Sequence, residues 1–234
     1  MIEISDLLVQ FGGVKPINGL SATLSAPVSG LIGPNGAGKT TLLNVLSGFV
    51  TPARGTVRLG GQDLLRLDPL QRVRAGLRRS FQTEQVVEDL TVRDNLAAIA
   101  DNVLPAKDRA GQVLVALDFI GLRPVADTLG SSLNLFQRRM VELGKCVIGH
   151  PKLVLLDEPA AGLTDEEGAR LRELVLRIPG EFGAQVLVID HDVELIRAMC
   201  SETLVLDYGK RLALGPTEAV LADPDVRRAY LGEL

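Results

Sequence analysis

Nothing in this sequence of 234 residues approaches the run of roughly 18 consecutive apolar residues needed to cross a bilayer, although 46% of the chain is hydrophobic. That points to a soluble or peripheral protein. Cysteine is scarce: Cys146 and Cys200 read as small buried hydrophobes in a reducing compartment. Positive charge is not in excess either. A formal net charge of -4 argues against a general nucleic-acid binder, and the one cluster of arginines, Arg72, Arg74, Arg78 and Arg79, reads as a solvated face. The opening Met1-Ile2-Glu3-Ile4 has neither a basic segment nor a cleavage-site pattern, which argues against export. Internal repeats and low-complexity segments are lacking too. The length suits one large α/β domain or a core plus a subdomain.

What is present begins with Gly33-Pro34-Asn35-Gly36-Ala37-Gly38-Lys39-Thr40, which fills the pattern G-x-x-x-x-G-K-[ST]. It lies between an apolar run, Val28 to Ile32, and a helical pattern, Thr41 to Leu46. Strand, loop and helix in that order make a nucleotide site. The glycines let consecutive backbone N–H groups turn toward phosphates, Lys39 reaches the β and γ oxygens, and the Thr40 hydroxyl can ligate Mg²⁺. Thr41 completes the set of candidate nucleotide-binding residues.

A second apolar strand, Leu153-Val154-Leu155-Leu156, ends in Asp157-Glu158-Pro159. Asp157, at the strand tip, can hold Mg²⁺ through water, and Glu158 is placed to orient and polarise the water that attacks the γ-phosphate. Elsewhere such paired acids often mark only a helix N-terminus. A third strand, Gln185 to Ile189, ends in Asp190-His191-Asp192. His150, before Pro151, reads as structural or solvated. His191 ends a core strand, the edge of an α/β sheet where ligands bind, and reads as a γ-phosphate contact.

Taken together, Gly33 to Thr40, Gln82 in Ser80-Phe81-Gln82, Asp157-Glu158 and His191 resemble the nucleotide-binding subunit of ATP-binding cassette transporters, over the whole chain. The resemblance implies further roles. Phe11 of Phe11-Gly12-Gly13 matches the aromatic that stacks on adenine, although alone it fits a core phenylalanine equally well. Gln82 corresponds to the glutamine that senses Mg²⁺ and water and begins the contact with the membrane subunit. Val86, Val87 and Leu90 beside it belong either to that contact or to a subdomain core. Pro159 to Thr164 looks like the loop that crosses the dimer interface, with Thr164 where Asp or Asn is common.

The element order supports an α/β P-loop NTPase core, a mixed parallel sheet with flanking helices, plus an antiparallel β subdomain and a helical insert subdomain. The expected division is 1–82 and 150–234 for the core with its β subdomain and 83–149 for the helical part. Ile2 to Phe11, Leu20 to Ala26 and Thr56 to Leu59 read as antiparallel strands. Thr91 to Ile99, Ala110 to Ile120 and Gln137 to Ile148 show helical spacing. The last carries Met140, Val141, Gly144, Val147 and Ile148 on one side. A further helix begins at Thr164, with Glu167 completing a capping box, and buries Leu171, Leu174, Val175 and Ile178. Leu24 to Leu31 lacks the family's usual Gly-Glu turn and reads as a tight local hairpin.

The chain departs from the family at the signature, normally Leu-Ser-Gly-Gly-Gln. Here it is Leu133-Asn134-Leu135-Phe136-Gln137, with Gln137, Arg139 and Glu142 in register. In the family this segment caps the γ-phosphate held by the opposite subunit. Asn134 could still donate a hydrogen bond, but Leu135 and Phe136 add bulk where backbone approaches phosphate. The resemblance therefore implies Mg²⁺ and ATP as ligands and a second, different cassette subunit completing a heterodimer. It also implies two transmembrane permeases, an indirect link to a periplasmic binding protein, no nucleic acid, and a peripheral place on the cytoplasmic face of the inner membrane.

The string Leu31 to Phe49, the run Asp157 to Leu163 and the ending Arg228-Ala229-Tyr230-Leu231-Gly232 look like ATPases of branched-chain amino acid importers, with urea or amide importers close rivals. Cargo rests on family likeness alone, since an ATPase subunit does not touch it. A GTPase or small-molecule kinase needs an Asn-Lys-x-Asp motif or a lid, and the motif is missing. A translation or repair factor would carry tandem cassettes, coiled-coil insertions or basic tracts, all missing here. A regulatory subunit that binds ATP with little hydrolysis is kept open by the altered signature.

Overall fold

A computed structural model describes residues 1–231, so Gly232 of the ending noted above lies outside the described residues. In chain order the strands are β1 (Ile2–Phe11), β2 (Val14–Leu24), β3 (Val28–Ile32), β4 (Arg54–Leu59), β5 (Gln62–Asp63), β6 (Leu77–Arg79), β7 (Leu153–Asp157), β8 (Gln185–Ile189), β9 (Glu202–Asp207) and β10 (Lys210–Pro216). The main helices are α1 (Lys39–Ser47), α2 (Pro69–Arg74), α3 (Val92–Val103), α4 (Ala106–Phe119), α5 (Leu135–Val147), α6 (Asp165–Phe182), α7 (Val193–Met199) and α8 (Thr217–Ala222). Two compact units result, one of residues 1–72 with 185 onward, the other of residues 73–184.

In the first unit, β2, β1, β4 and β5 form an antiparallel sheet in that order. Ile2, Ile4, Leu7 and Val9 of β1 are buried, and the alternation slips between Ile4 and Leu7, where Asp6 takes a positive φ of 44° and the register shifts. A second sheet pairs β3 in parallel with β8 on one side and β9 on the other, with β10 antiparallel to β9. All five residues of β3 are buried, which is why the strand reads as an unbroken run rather than an alternation. The expected hairpin at Leu24 to Leu31 is not formed. Residues 25–27 carry the chain from one sheet to the other, and the Ser25 and Ala26 N–H groups donate to the Glu202 carboxylate at 3.0 and 3.4 Å.

In the second unit, β6 and β7 pair in parallel, and α3, α4, α5 and α6 pack among themselves, with α5 against β6. Thr91, Asn134 and Thr164 accept from backbone N–H groups at the starts of α3, α5 and α6. The capping box of Thr164 and Glu167 is present, and α6 buries Leu171, Val175 and Ile178 while Leu174 is half-buried.

The arginine cluster is not a solvated face. Arg72 and Arg78 are only 4% and 6% exposed. Arg72 donates to the Val45 and Leu46 carbonyls at the C-terminal end of α1, and Arg78 donates to Ile148 O at the end of α5 (2.9 Å) and to Leu77 O (3.0 Å). Helix C-termini leave carbonyls without intrahelical donors and carry partial negative charge, so a guanidinium with five donors is well matched to them. Arg74 alone of the four is exposed.

Candidate nucleotide site

In the first unit the loop Gly33–Gly38 leaves the end of β3 and enters α1, whose N-terminus has no side-chain cap. Gly38 has φ 105°, and a Cβ there would lie 2.2 Å from the Pro16 carbonyl oxygen. Only glycine fits that combination of left-handed backbone and close approach. The Ala37 carbonyl accepts from Gly209 N–H at 3.0 Å, fixing the loop to the turn after β9. Lys39 Nζ donates to Gly33 O (2.6 Å) and Pro34 O (3.1 Å), so the ammonium lies over its own loop. Thr40 is exposed and Thr41 half-buried in the first turn of α1. That turn presents backbone N–H groups without intrahelical acceptors and the positive end of the helix dipole, a favourable setting for anions.

Phe11 ends β1 with 56% of its surface exposed, which removes the core alternative for it. The ring is available for stacking. His191 follows Asp190 at the end of β8, with its side chain 72% exposed and Nδ1 3.7 Å from Asp190 Oδ1. Its carbonyl accepts from Tyr230 Oη at 3.0 Å. His150 is exposed, which favours the solvated one of its two readings.

In the second unit the two acids at the end of β7 differ in surroundings. Asp157 is buried, its N–H donates to Ser80 Oγ at 3.3 Å, and its Oδ2 lies 3.5 Å from Arg79 Nη2. Glu158 is half-buried and takes φ 48°, a conformation that costs a non-glycine residue about 1 kcal/mol or more. The bend turns the chain sharply at the strand tip. Glu158 Oε2 accepts from Gln82 Nε2 at 2.9 Å, so residues 76 positions apart meet. Within this unit the Asp157 carboxylate and the Gln82 amide oxygen are hard donors of the kind Mg²⁺ takes, so these residues fit that ion.

Two arginines hold this half in place, and sequence reasoning gave neither a role. Arg139 of α5 is 7% exposed; it donates to Gln82 O (3.2 Å) and Ala161 O (3.3 Å), and its Nε is 3.0 Å from Glu84 Oε1. It thus ties α5 to the glutamine loop and to the loop after Glu158. Arg79, at the end of β6, lies beside Asp157 because β6 and β7 run in parallel with Arg79 opposite Leu155. Burial lowers the Arg79 pKa, and Asp157 opposes the shift. The only sequence signal was position: one arginine sits three residues before Gln82, the other two after Gln137.

At the altered signature, Asn134 caps α5: its Oδ1 accepts from Gln137 N–H at 2.8 Å, and its own N–H donates to Gln137 Oε1 at 3.1 Å. The side-chain oxygen and backbone N–H of Asn134 are therefore engaged within the helix end. Leu135 is exposed, and the Phe136 ring lies 5.4 Å under the Arg170 guanidinium. Beside the glutamine loop is a cavity of about 340 Å³ lined by Leu77, Arg79, Phe81, Val87, Ile99 and Lys145, among others. Val87 is 50% exposed at its edge and Val86 is buried.

Comparison with known proteins identifies the family and the fold. A family model described as ABC transporter matches residues 17–161, and one described as branched-chain amino acid ATP-binding cassette transporter matches residues 210–233. The chain is 33% identical to the high-affinity branched-chain amino acid transport ATP-binding protein BraF of Pseudomonas aeruginosa and 34% identical to LivG of Escherichia coli, covering 100% of this chain and 98% of each relative. A crystal structure of an ATP-binding cassette of an ABC transporter in its ADP conformation superposes with a TM-score of 0.87 at 27% identity, over 100% of this chain and 99% of the other.

Proposed function

The chain belongs to the ABC transporter family, and from that premise we propose that it hydrolyses ATP to drive uptake of branched-chain amino acids through partner permeases. The carrying observation is the Gly38–Lys39 junction, where a left-handed glycine against the Pro16 carbonyl turns an uncapped helix end and its lysine into an anion cradle. Lys39 and the first turn of α1 hold phosphate oxygens, and Phe11 takes the adenine face. Asp157, with Thr40 and Gln82, would hold Mg²⁺, which would offset the negative charge of the phosphates. Glu158 orients the attacking water and accepts its proton, and His191 steadies the γ-phosphate.

Membership of a transporter family implies membrane permeases as partners, and no helix among the described residues is long and apolar enough to cross a membrane. The cavity beside Gln82 suits a short cytoplasmic helix of such a permease, because its lining is mainly apolar with Arg79, Glu142 and Lys145 among it. This reading has the chain lie peripherally on the cytoplasmic face of the inner membrane, linked only through the permeases to a periplasmic binding protein. The altered signature favours a different cassette subunit as partner. Asn134 is committed to its own helix and Phe136 fills the place of a small residue, so this end of α5 is poorly suited to cap a phosphate.

Calorimetry of Mg·ATP binding tests the core of the reading: Lys39→Ala is expected to weaken affinity at least about 30-fold by removing a charge-assisted donor. Unchanged affinity refutes it. Isolating the chain from its own membranes and identifying the co-purifying permeases and binding protein tests the cargo.

A further inference from the structure

Arg79 stands between Asp157 and the cavity beside Gln82. Its guanidinium approaches Asp157 Oδ2 at 3.5 Å, and it lies over the Phe81 ring with 4.9 Å to the centroid. Both Arg79 and Phe81 line the cavity of about 340 Å³. The side chains of Arg79 and Asp157 are 7% and 10% exposed, so their interaction is weakly screened by solvent. The parallel register of β6 and β7 sets this up, since it brings the end of one strand beside the acid at the tip of the other. At 3.5 Å the contact sits at the outer edge of a hydrogen bond, so a small displacement of the guanidinium changes it substantially.

We propose that Arg79 is a positioning residue that links occupancy of this cavity to the hold of Asp157 on Mg²⁺. The proposal rests on the reading of the cavity as the permease site. With the cavity empty, Arg79 stays close to Asp157 and its positive charge opposes a divalent ion there. A helix seated against Phe81 and Val87 draws the guanidinium toward the cavity, and the carboxylate is left to the ion. Permease engagement thereby lowers the Mg²⁺ concentration at which nucleotide binds.

The test is the Mg²⁺ dependence of ATP binding, measured by calorimetry on the full chain alone and on the transporter assembled with its permeases. In the chain alone, Arg79→Gln is expected to lower the half-saturating Mg²⁺ concentration about threefold or more, and Arg79→Lys, which keeps the charge, to stay within about twofold of the parent. Assembly is expected to lower the parent's half-saturation by a similar factor and to have no such effect in Arg79→Gln. Should that variant fail to fold, Phe81→Leu removes the ring under the guanidinium and is expected to blunt the response to assembly. An unchanged or raised Mg²⁺ requirement in folded Arg79→Gln, or an undiminished response to assembly in either variant, overturns the proposal. Crosslinking from Val87→Cys to a permease reports on docking separately: a crosslink together with an unaltered Mg²⁺ requirement in Arg79→Gln defeats the role of Arg79 and leaves the docking surface standing.

Discussion

The side-chain amide of Gln82 donates to the Glu158 carboxylate across 2.9 Å, and Arg139 holds the Gln82 carbonyl from the other side at 3.2 Å. Glu158 is thus restrained by a loop that also borders the cavity, and a shift of that loop must move the partner of the carboxylate.

Replacing Glu158 by Gln is expected to lower the ATPase kcat by about 100-fold or more, the loss typical of removing a general base. ATP binding should persist. Gln82→Ala, which removes a positioning contact, is expected to cost about tenfold. Steady-state ATPase of the assembled transporter, with nucleotide affinity measured alongside, checks both. Equal losses from the two changes would count against the assigned roles.

If the chain pairs with a different cassette subunit, as proposed above, the altered signature is expected to make the two composite sites unequal. In the complex, Glu158→Gln should remove most hydrolysis, whereas the matching change in the partner should remove less. At the site completed by Asn134, Leu135 and Phe136 the Asn134 N–H is already given to Gln137, and one missing donor costs about 100-fold in rate. The purified chain alone should be a poor ATPase. Hydrolysis by the chain alone as fast as by the complex, or equal damage from both glutamate changes, contradicts the asymmetry.

Arg78 and Arg74 lie four positions apart in sequence and differ sharply in role. Arg78→Ala leaves the Ile148 and Leu77 carbonyls without their donor and is expected to lower stability by about 3 kcal/mol. Arg74→Ala should fall within about 0.5 kcal/mol of the parent. Chemical denaturation of the two variants side by side decides the matter.

Burial pushes the Cys146 and Cys200 thiols from 9.0 up to about 12. A folded-state pKa above the unfolded one means that the folded chain holds the proton more tightly. The contribution is therefore fully present below about pH 9 and is lost as pH rises toward about 12. Melting curves across that window should fall more steeply for the parent than for the Cys146→Ala, Cys200→Ala double variant. At neutral pH a thiol reagent should label neither cysteine until the chain unfolds.

Local order fixed much of what could be read from the chain alone. Val28 to Ile32, the loop Gly33 to Gly38 and the helix after it depend on neighbours in sequence: an apolar run, glycines at left-handed positions, and a helix start. The same holds for the Thr164 and Glu167 capping box and for the strand ending in Asp157, because each signal lies within a few residues of the element it makes. What the sequence could not disclose were pairings over long separations. Arg72 and Arg78 read as solvated because arginine is usually exposed, and only the tertiary fold supplies the carbonyl ends of α1 and α5 that bury them. The expected hairpin after Leu24 failed for a similar reason: Glu202, 177 residues from Ser25, takes the N–H groups that a hairpin would have used. Gln82 and Glu158 meet for want of any local rule, since the parallel pairing of β6 with β7 brings their two loops out at the same end of the strands.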